Sequence, residues 1–152
     1  MKNFTGPLAA LADDTRLRLV HLLLQRELCV CELVDALRMP QYKVSRHLRT
    51  LRAAGLVEAR RDGRWMHYRV NPQADSTGLR QELLRIVGVY LCNVPEVIDD
   101  ERRLSQRLRL RRAGQCVVGV KRQGASEGRA QLGAGPAARR TASGRHPSRT
   151  VH

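Results

Sequence analysis

The chain predicts a mainly α-helical fold with one small β-hairpin, arranged as a winged helix-turn-helix. Three observations lead there. Two helices with apolar stripes are separated only by Arg38, Met39 and Pro40, and the second of them stops at Gly55. The segment LVEARRDGRWMHYRV follows at once, with the turn pair Asp62 and Gly63 between β-compatible residues such as Val57, Trp65, Tyr68 and Val70.

Each element has its own signal. Leu8 and Leu11 suggest a short opening helix. Asp13 can cap the next, which carries Leu17, Val20, Leu23 and Leu24 at helical spacing. A helix then begins near Val30 or Cys31 and runs through Leu33, Val34 and Leu37; Pro40 disfavours helix at Met39 and is itself welcome at a helix start. From about Gln41 to Ala54, Val44, Leu48 and Leu51 share one face. From about Thr77 to Leu91, Leu79, Leu83, Ile86, Val87 and Tyr90 form a stripe that a domain this small would partly use against a second copy, giving a homodimer. Beyond Glu101 the apolar period is lost except in RRLSQRLRLRR, and from Gly114 the composition turns to Gly, Ala, Arg and Ser, as in disordered segments. The expected organisation is one domain over residues 1–100 and a basic tail over 101–152.

The formal charge of +14 is concentrated in that tail: residues 1–101 carry 15 basic and 13 acidic side chains, residues 102–152 carry 13 and 1. A basic extension suits a polyanion and also suits plain solvation. No signal peptide is visible, because the apolar stretch from Pro7 to Ala12 is short and Asp13 and Asp14 follow it, and no run reaches membrane-spanning length. The expectation is a reducing cytoplasm with no membrane partner, where four sparse cysteines favour metal or redox chemistry over a disulfide framework.

In a winged helix the second helix of the pair enters the major groove and the hairpin tip reaches the backbone beside it. Gln41, Lys43, Ser45, Arg46 and His47 fall on the reading helix, and Arg60, Arg61 and Arg64 bracket the hairpin tip. Double-stranded DNA is the partner this pattern fits. His47 fits equally well as a packed histidine at the helix boundary.

ADDTRLRLVHLLL, ELCVCEL and KVSRHLRTLRAAGLVEARRDGRWMHYRV, in that order and spacing over about residues 8–91, resemble the ArsR/SmtB family of metal- and metalloid-responsive repressors, specifically its arsenic-responsive branch. The resemblance implies a homodimeric repressor that holds operator DNA and releases it when As(III) or Sb(III) binds Cys29 and Cys31. It implies no enzymatic activity and no cofactor beyond that inducer. Some relatives have a third cysteine three residues after the pair, and here that position is Val34. Cys92, Cys116, a water-derived oxygen or an outside thiol are the candidates to complete the site.

Soft thiolates prefer soft ions, and trivalent arsenic follows by analogy. Residues i and i+2 of a regular helix lie about 200° apart, so Cys29 and Cys31 cannot grip one ion there and the helix start must be extended, frayed or unwound. The expectation is that binding loosens the turn and so moves one reading-motif helix against the other.

Other readings have less behind them. Cadmium or lead sensing would lack ligands from an N-terminal arm, since Cys29 is the first cysteine, and residues 77–91 hold no His for a zinc site of the dimer helix. Oxidation of the pair is a further reading, through a bond strained by its short span. Cys116 and Arg122 have the Cys-x5-Arg spacing of phosphatase-like or arsenate-reducing loops, a spacing expected by chance in so arginine-rich a chain.

Overall fold

The protein is described by a computed structural model covering residues 1–71 and 78–119, apart from the side chains of Lys2 and Asn3. In chain order the elements are α1 (Lys2–Leu11), α2 (Asp14–Gln25), β1 (Leu28–Cys29), α3 (Val30–Leu37), α4 (Gln41–Ala53), β2 (Val57–Asp62), β3 (Trp65–Val70), α5 (Leu79–Leu91) and α6 (Pro95–Leu108). The fold is the expected winged helix-turn-helix: α3 and α4 form the reading motif and β2–β3 the wing.

Local chemistry explains the boundaries. The Asp13 carboxylate accepts from the Arg16 amide at 2.9 Å, capping α2. Arg38 ends α3 in the left-handed region, at φ 52°, and Pro40 precedes α4. α4 closes with the Leu56 amide on the Leu51 carbonyl (3.0 Å) and the Gly55 amide on that of Arg52 (2.9 Å). That double bond needs a left-handed residue after the cap, and Gly55 supplies it at φ 72°. The wing pairs Asp62 with Trp65, so its two-residue tip is Gly63 and Arg64, with Gly63 at φ 56°.

The core sits under the reading motif. Leu19, Leu22, Leu28, Leu33, Leu48 and Leu51 are fully enclosed. The stripe of α2 is wider than its sequence period: Leu19 and Leu22 are buried beside Val20 and Leu23, while Leu17 and Leu24 are only partly covered. On α5 the inward residues are Leu84 and Val87, and Ile86, Val89 and Tyr90 are exposed.

Two elements go beyond the sequence reading. β1 pairs antiparallel with β3, Leu28 opposite Tyr68 and Cys29 opposite His67, giving a three-stranded sheet in the order β1-β3-β2. α6 crosses the boundary expected at residue 100, so the folded part reaches at least Gly119. Its buried face is Val97, Asp100, Leu104 and Arg107. The carboxylate of Asp100 is fully buried because Arg18 donates to both its oxygens, at 2.6 and 2.7 Å, and Arg103 donates as well. The Gly- and Arg-rich stretch from residue 120 lies outside the described residues.

Candidate thiol site and nucleic-acid interface

Cys29 and Cys31 do not meet across a regular helix. Cys29 is the N-cap of α3, with extended backbone at φ −83° and ψ 159°, and Cys31 lies in the first turn. The extended cap swings the first sulfur round to the second, which removes the 200° obstacle. The two are joined as a disulfide, their Cα atoms 5.5 Å apart. Of the three forms expected for the helix start, extended, frayed or unwound, the structure has the extended one at Cys29, and the sulfurs converge with Val30 and Cys31 still helical, so no loosening of that turn is needed for them to meet.

A third sulfur stands beside them. Cys116 Sγ is 3.0 Å from Cys31 Sγ, and the sulfurs of Cys29, Cys31 and Cys116 all lie within 4.8 Å of one another, each side chain buried. For a thiolate-bound ion with bonds of roughly 2.3 Å, sulfurs on one centre lie about 3.3 to 4 Å apart, a spacing these three sulfurs can take up once the Cys29–Cys31 bond is opened. Cys92 is elsewhere, exposed on the last turn of α5 with its thiol on the Val89 carbonyl at 3.1 Å. Val34 is core.

Charged groups frame the thiols. Glu32, fully buried, accepts from the Cys29 amide at 2.9 Å, and Arg111 donates to its two oxygens at 2.7 and 2.8 Å. Beside Glu32 the Arg111 guanidinium is held more basic than usual, against the opposing effect of burial. Arg107 donates to Asp35 at 2.5 Å, and its Nη2 is 3.8 Å from Cys116 Sγ. Burial, and next the Glu32 carboxylate, push the Cys116 thiol up. Trp65 of the wing packs on the cluster, and a cleft of about 420 Å³ runs from Cys31 past Trp65 to Gln41 and Ser45 of α4.

The expected DNA-facing residues divide into two groups. On α4, Gln41 and Arg46 are exposed and Lys43 and Ser45 partly so, and exposed Tyr42 joins them. Tyr42 was legible as an aromatic residue lying off the Val44, Leu48 and Leu51 stripe. His47 turns inward, its side chain 12% exposed and its Nδ1 3.7 Å from Asp13, so it belongs to the packing between α4 and the start of α2. Its place beside the buried stripe explains this. On the wing all three arginines are exposed and each has an internal contact. Arg60 donates to Glu27 at 2.7 Å, Arg61 to the Gly63 carbonyl at 3.0 Å, and Arg64 lies 4.9 Å from the Trp65 ring centre.

The phosphatase-like reading finds little support. Such a loop sits between a buried strand and a helix start. Cys116 instead follows α6 and a turn closed by Arg112 and Gln115, and Arg122 lies outside the described residues. No helix among the described residues is long and apolar enough to cross a membrane.

Comparison with known proteins agrees with the geometry. The family model for bacterial regulatory proteins of the arsR family matches residues 13–59. The arsenic resistance transcriptional regulator ArsR1 of Pseudomonas putida is 53% identical over 64 residues, 41% of this chain and 50% of that protein. The HTH-type transcriptional repressor SmtB of Mycobacterium tuberculosis is 49% identical over 63 residues, 41% of this chain and 47% of that protein. The matched stretch thus spans about half the length of these curated relatives. Among solved structures, a homodimeric winged helix-turn-helix DNA-binding domain from Mycobacterium bovis, described as a possible ArsR-family transcriptional regulator, is 32% identical with a TM-score of 0.50. That likeness covers 58% of this chain and 77% of that one. Fold, motif order and sequence agree over the reading motif and wing, and the chain belongs to the arsR family of bacterial regulatory proteins.

Proposed function

We propose that the protein is a homodimeric transcriptional repressor that holds operator DNA through α4 and the wing and releases it when As(III) or Sb(III) binds Cys29 and Cys31. The observation that carries this reading is the extended N-cap of α3, which turns two soft sulfurs toward one point at the first helix of the reading motif. An arsenic-resistance regulator among the relatives supports the choice of inducer, and SmtB among them supports repression without choosing one. Cadmium and lead are the alternative inducers.

The residues divide the work. Gln41, Lys43, Ser45 and Arg46 meet base edges and phosphates; Arg60, Arg61 and Arg64 meet the backbone at the wing. Each phosphate contact gives salt-dependent affinity. The thiol cluster touches Trp65, and the cleft beside Cys31 is walled by Gln41 and Ser45, so a bound ion acts on both DNA-facing elements at once. A coupling of about 1 to 3 kcal/mol corresponds to a roughly 5- to 150-fold weakening of DNA binding.

The test is a DNA-release titration with arsenite, antimonite, cadmium and zinc on the reduced full chain. Wild type is expected to respond to arsenite and antimonite, and the Cys29→Ser/Cys31→Ser variant to bind DNA equally well and release it for neither. Arsenite-driven release from that double variant would overturn the assignment. The bonded sulfurs favour a second reading, redox control, in which a peroxide takes two electrons and two protons from the dithiol and leaves as water. Release by peroxide with no response to arsenite would establish that reading in place of the first.

A further inference from the structure

We propose that Cys116 is the third ligand of the inducer site, carried there by a strap formed by residues 109–119. The proposal rests on the reading of Cys29 and Cys31 as the inducer pair and adds a ligand some 85 residues away along the chain.

The strap is built to place this sulfur. After α6 the chain reverses through Arg112–Gln115, closed by reciprocal backbone bonds of 3.0 and 2.9 Å, with Ala113 at φ 49° and Gly114 at φ 75°. Two successive left-handed residues make a tight reversal, and the second is glycine, which adopts that conformation without steric cost. Cys116 is then only 3% exposed, although the four residues before it are exposed. Two arginines pin the strap to α3. Arg111 joins Glu32 and also donates to the Glu27 carbonyl at 3.0 Å; Arg107 joins Asp35 and the Val118 carbonyl. Buried charge pairs of this kind fix position more than they add stability. The guanidinium of Arg107 lies beside Cys116, its Nη2 3.8 Å from the sulfur, and its Nη1 is buried without a hydrogen-bond partner among the described residues.

The chemistry balances without a change of oxidation state. A small-molecule reductant first converts the Cys29–Cys31 bond to two thiols. A phosphine does so by taking the oxygen of one water, whose two hydrogens end on the sulfurs. Arsenous acid then exchanges its three hydroxyls for three sulfurs: three As–S bonds form, three As–O bonds break, and each thiol proton leaves with a hydroxide as water. Arsenic stays trivalent throughout. With two thiols one hydroxyl would remain on the ion, beside the buried Cys116 sulfur.

X-ray absorption of the arsenite-loaded, phosphine-reduced full chain tests the proposal directly, because it counts sulfur neighbours around arsenic. Cys92→Ser leaves Cys29, Cys31 and Cys116 as the only thiols and changes an exposed side chain. Its complex should show three sulfurs and no oxygen. Adding Cys116→Ser should give two sulfurs and one oxygen, with arsenite affinity lower by about tenfold or more. Two sulfurs in the Cys92→Ser protein would overturn the third ligand and leave the inducer pair standing. Arsenic bound through no sulfur would overturn both.

Discussion

At the scale of single residues, Glu32 holds the site together. One buried carboxylate takes the Cys29 amide, which caps α3, and the Arg111 guanidinium, which anchors the strap. Neither contact is visible in ELCVCEL, where Glu32 looks like an ordinary first-turn acid. Removing one partner of a buried pair leaves the other charge uncompensated, typically at a cost of 3–5 kcal/mol. Glu32→Ala should therefore lower stability by about 3 kcal/mol in urea unfolding; a loss below about 1 kcal/mol would mean that the strap does not depend on this contact. The two thiols of the motif were legible from spacing, and so was the need for an irregular helix start between them; which form that start takes was not, because it rests on the ψ of Cys29. Cys116 stood beside Cys92 as a candidate third ligand, but the choice between them was unreadable: sequence patterns report neighbours within a turn or two, and the Cys31–Cys116 contact spans the whole fold.

Among the elements, α2, α3, α4 and the hairpin were legible because each pairs an apolar or β-compatible run with a chemical punctuation mark, Asp13, Pro40, Gly55 or Gly63, although the hairpin tip is Gly63–Arg64, one residue beyond the expected Asp62–Gly63. α6 was not. Its inward stripe alternates Val97 and Leu104 with Asp100 and Arg107, and a period search discards charged residues that are buried only because Arg18 and Asp35 await them. β1 was missed because two residues carry no period. The wing shows how charges tie elements together. Glu27, just before β1, is held below its usual carboxylate value, first by the hydrogen bond from Arg60 of β2 and then by nearby positive charges, against burial. A depressed carboxylate contributes stability that is complete above its unfolded pKa near 4.5 and disappears as the pH falls through the lower folded value. Urea unfolding should therefore find wild type more stable than Glu27→Gln at neutral pH, by less than about 1 kcal/mol for so exposed a pair, and the gap should close toward pH 3. A gap that persists undiminished into acid would rule out the ion pair as its source.

For the whole molecule, the outward face of α5 is the surface we propose for assembly. Ile86, Val89 and Tyr90 are 39%, 52% and 71% exposed, and Phe4 and Leu8 of α1 are exposed as well. An apolar helix face of this kind suits a second copy better than water. Val89→Glu should shift sedimentation from dimer to monomer and weaken operator binding by about 100-fold or more, because two linked reading helices gain affinity that one cannot. An unchanged dimer would move the interface elsewhere. The short pairing of β1 with β3 has a mechanical consequence. Cys29 is registered against His67, only three residues before which lies Arg64 at the wing tip, about 10 Å along the strand. On the proposed function, the first sulfur thus sits at the fulcrum of a short lever whose far end carries the proposed DNA contact Arg64, so a shift of the cap would be passed to the wing tip through the sheet, with no helix having to melt.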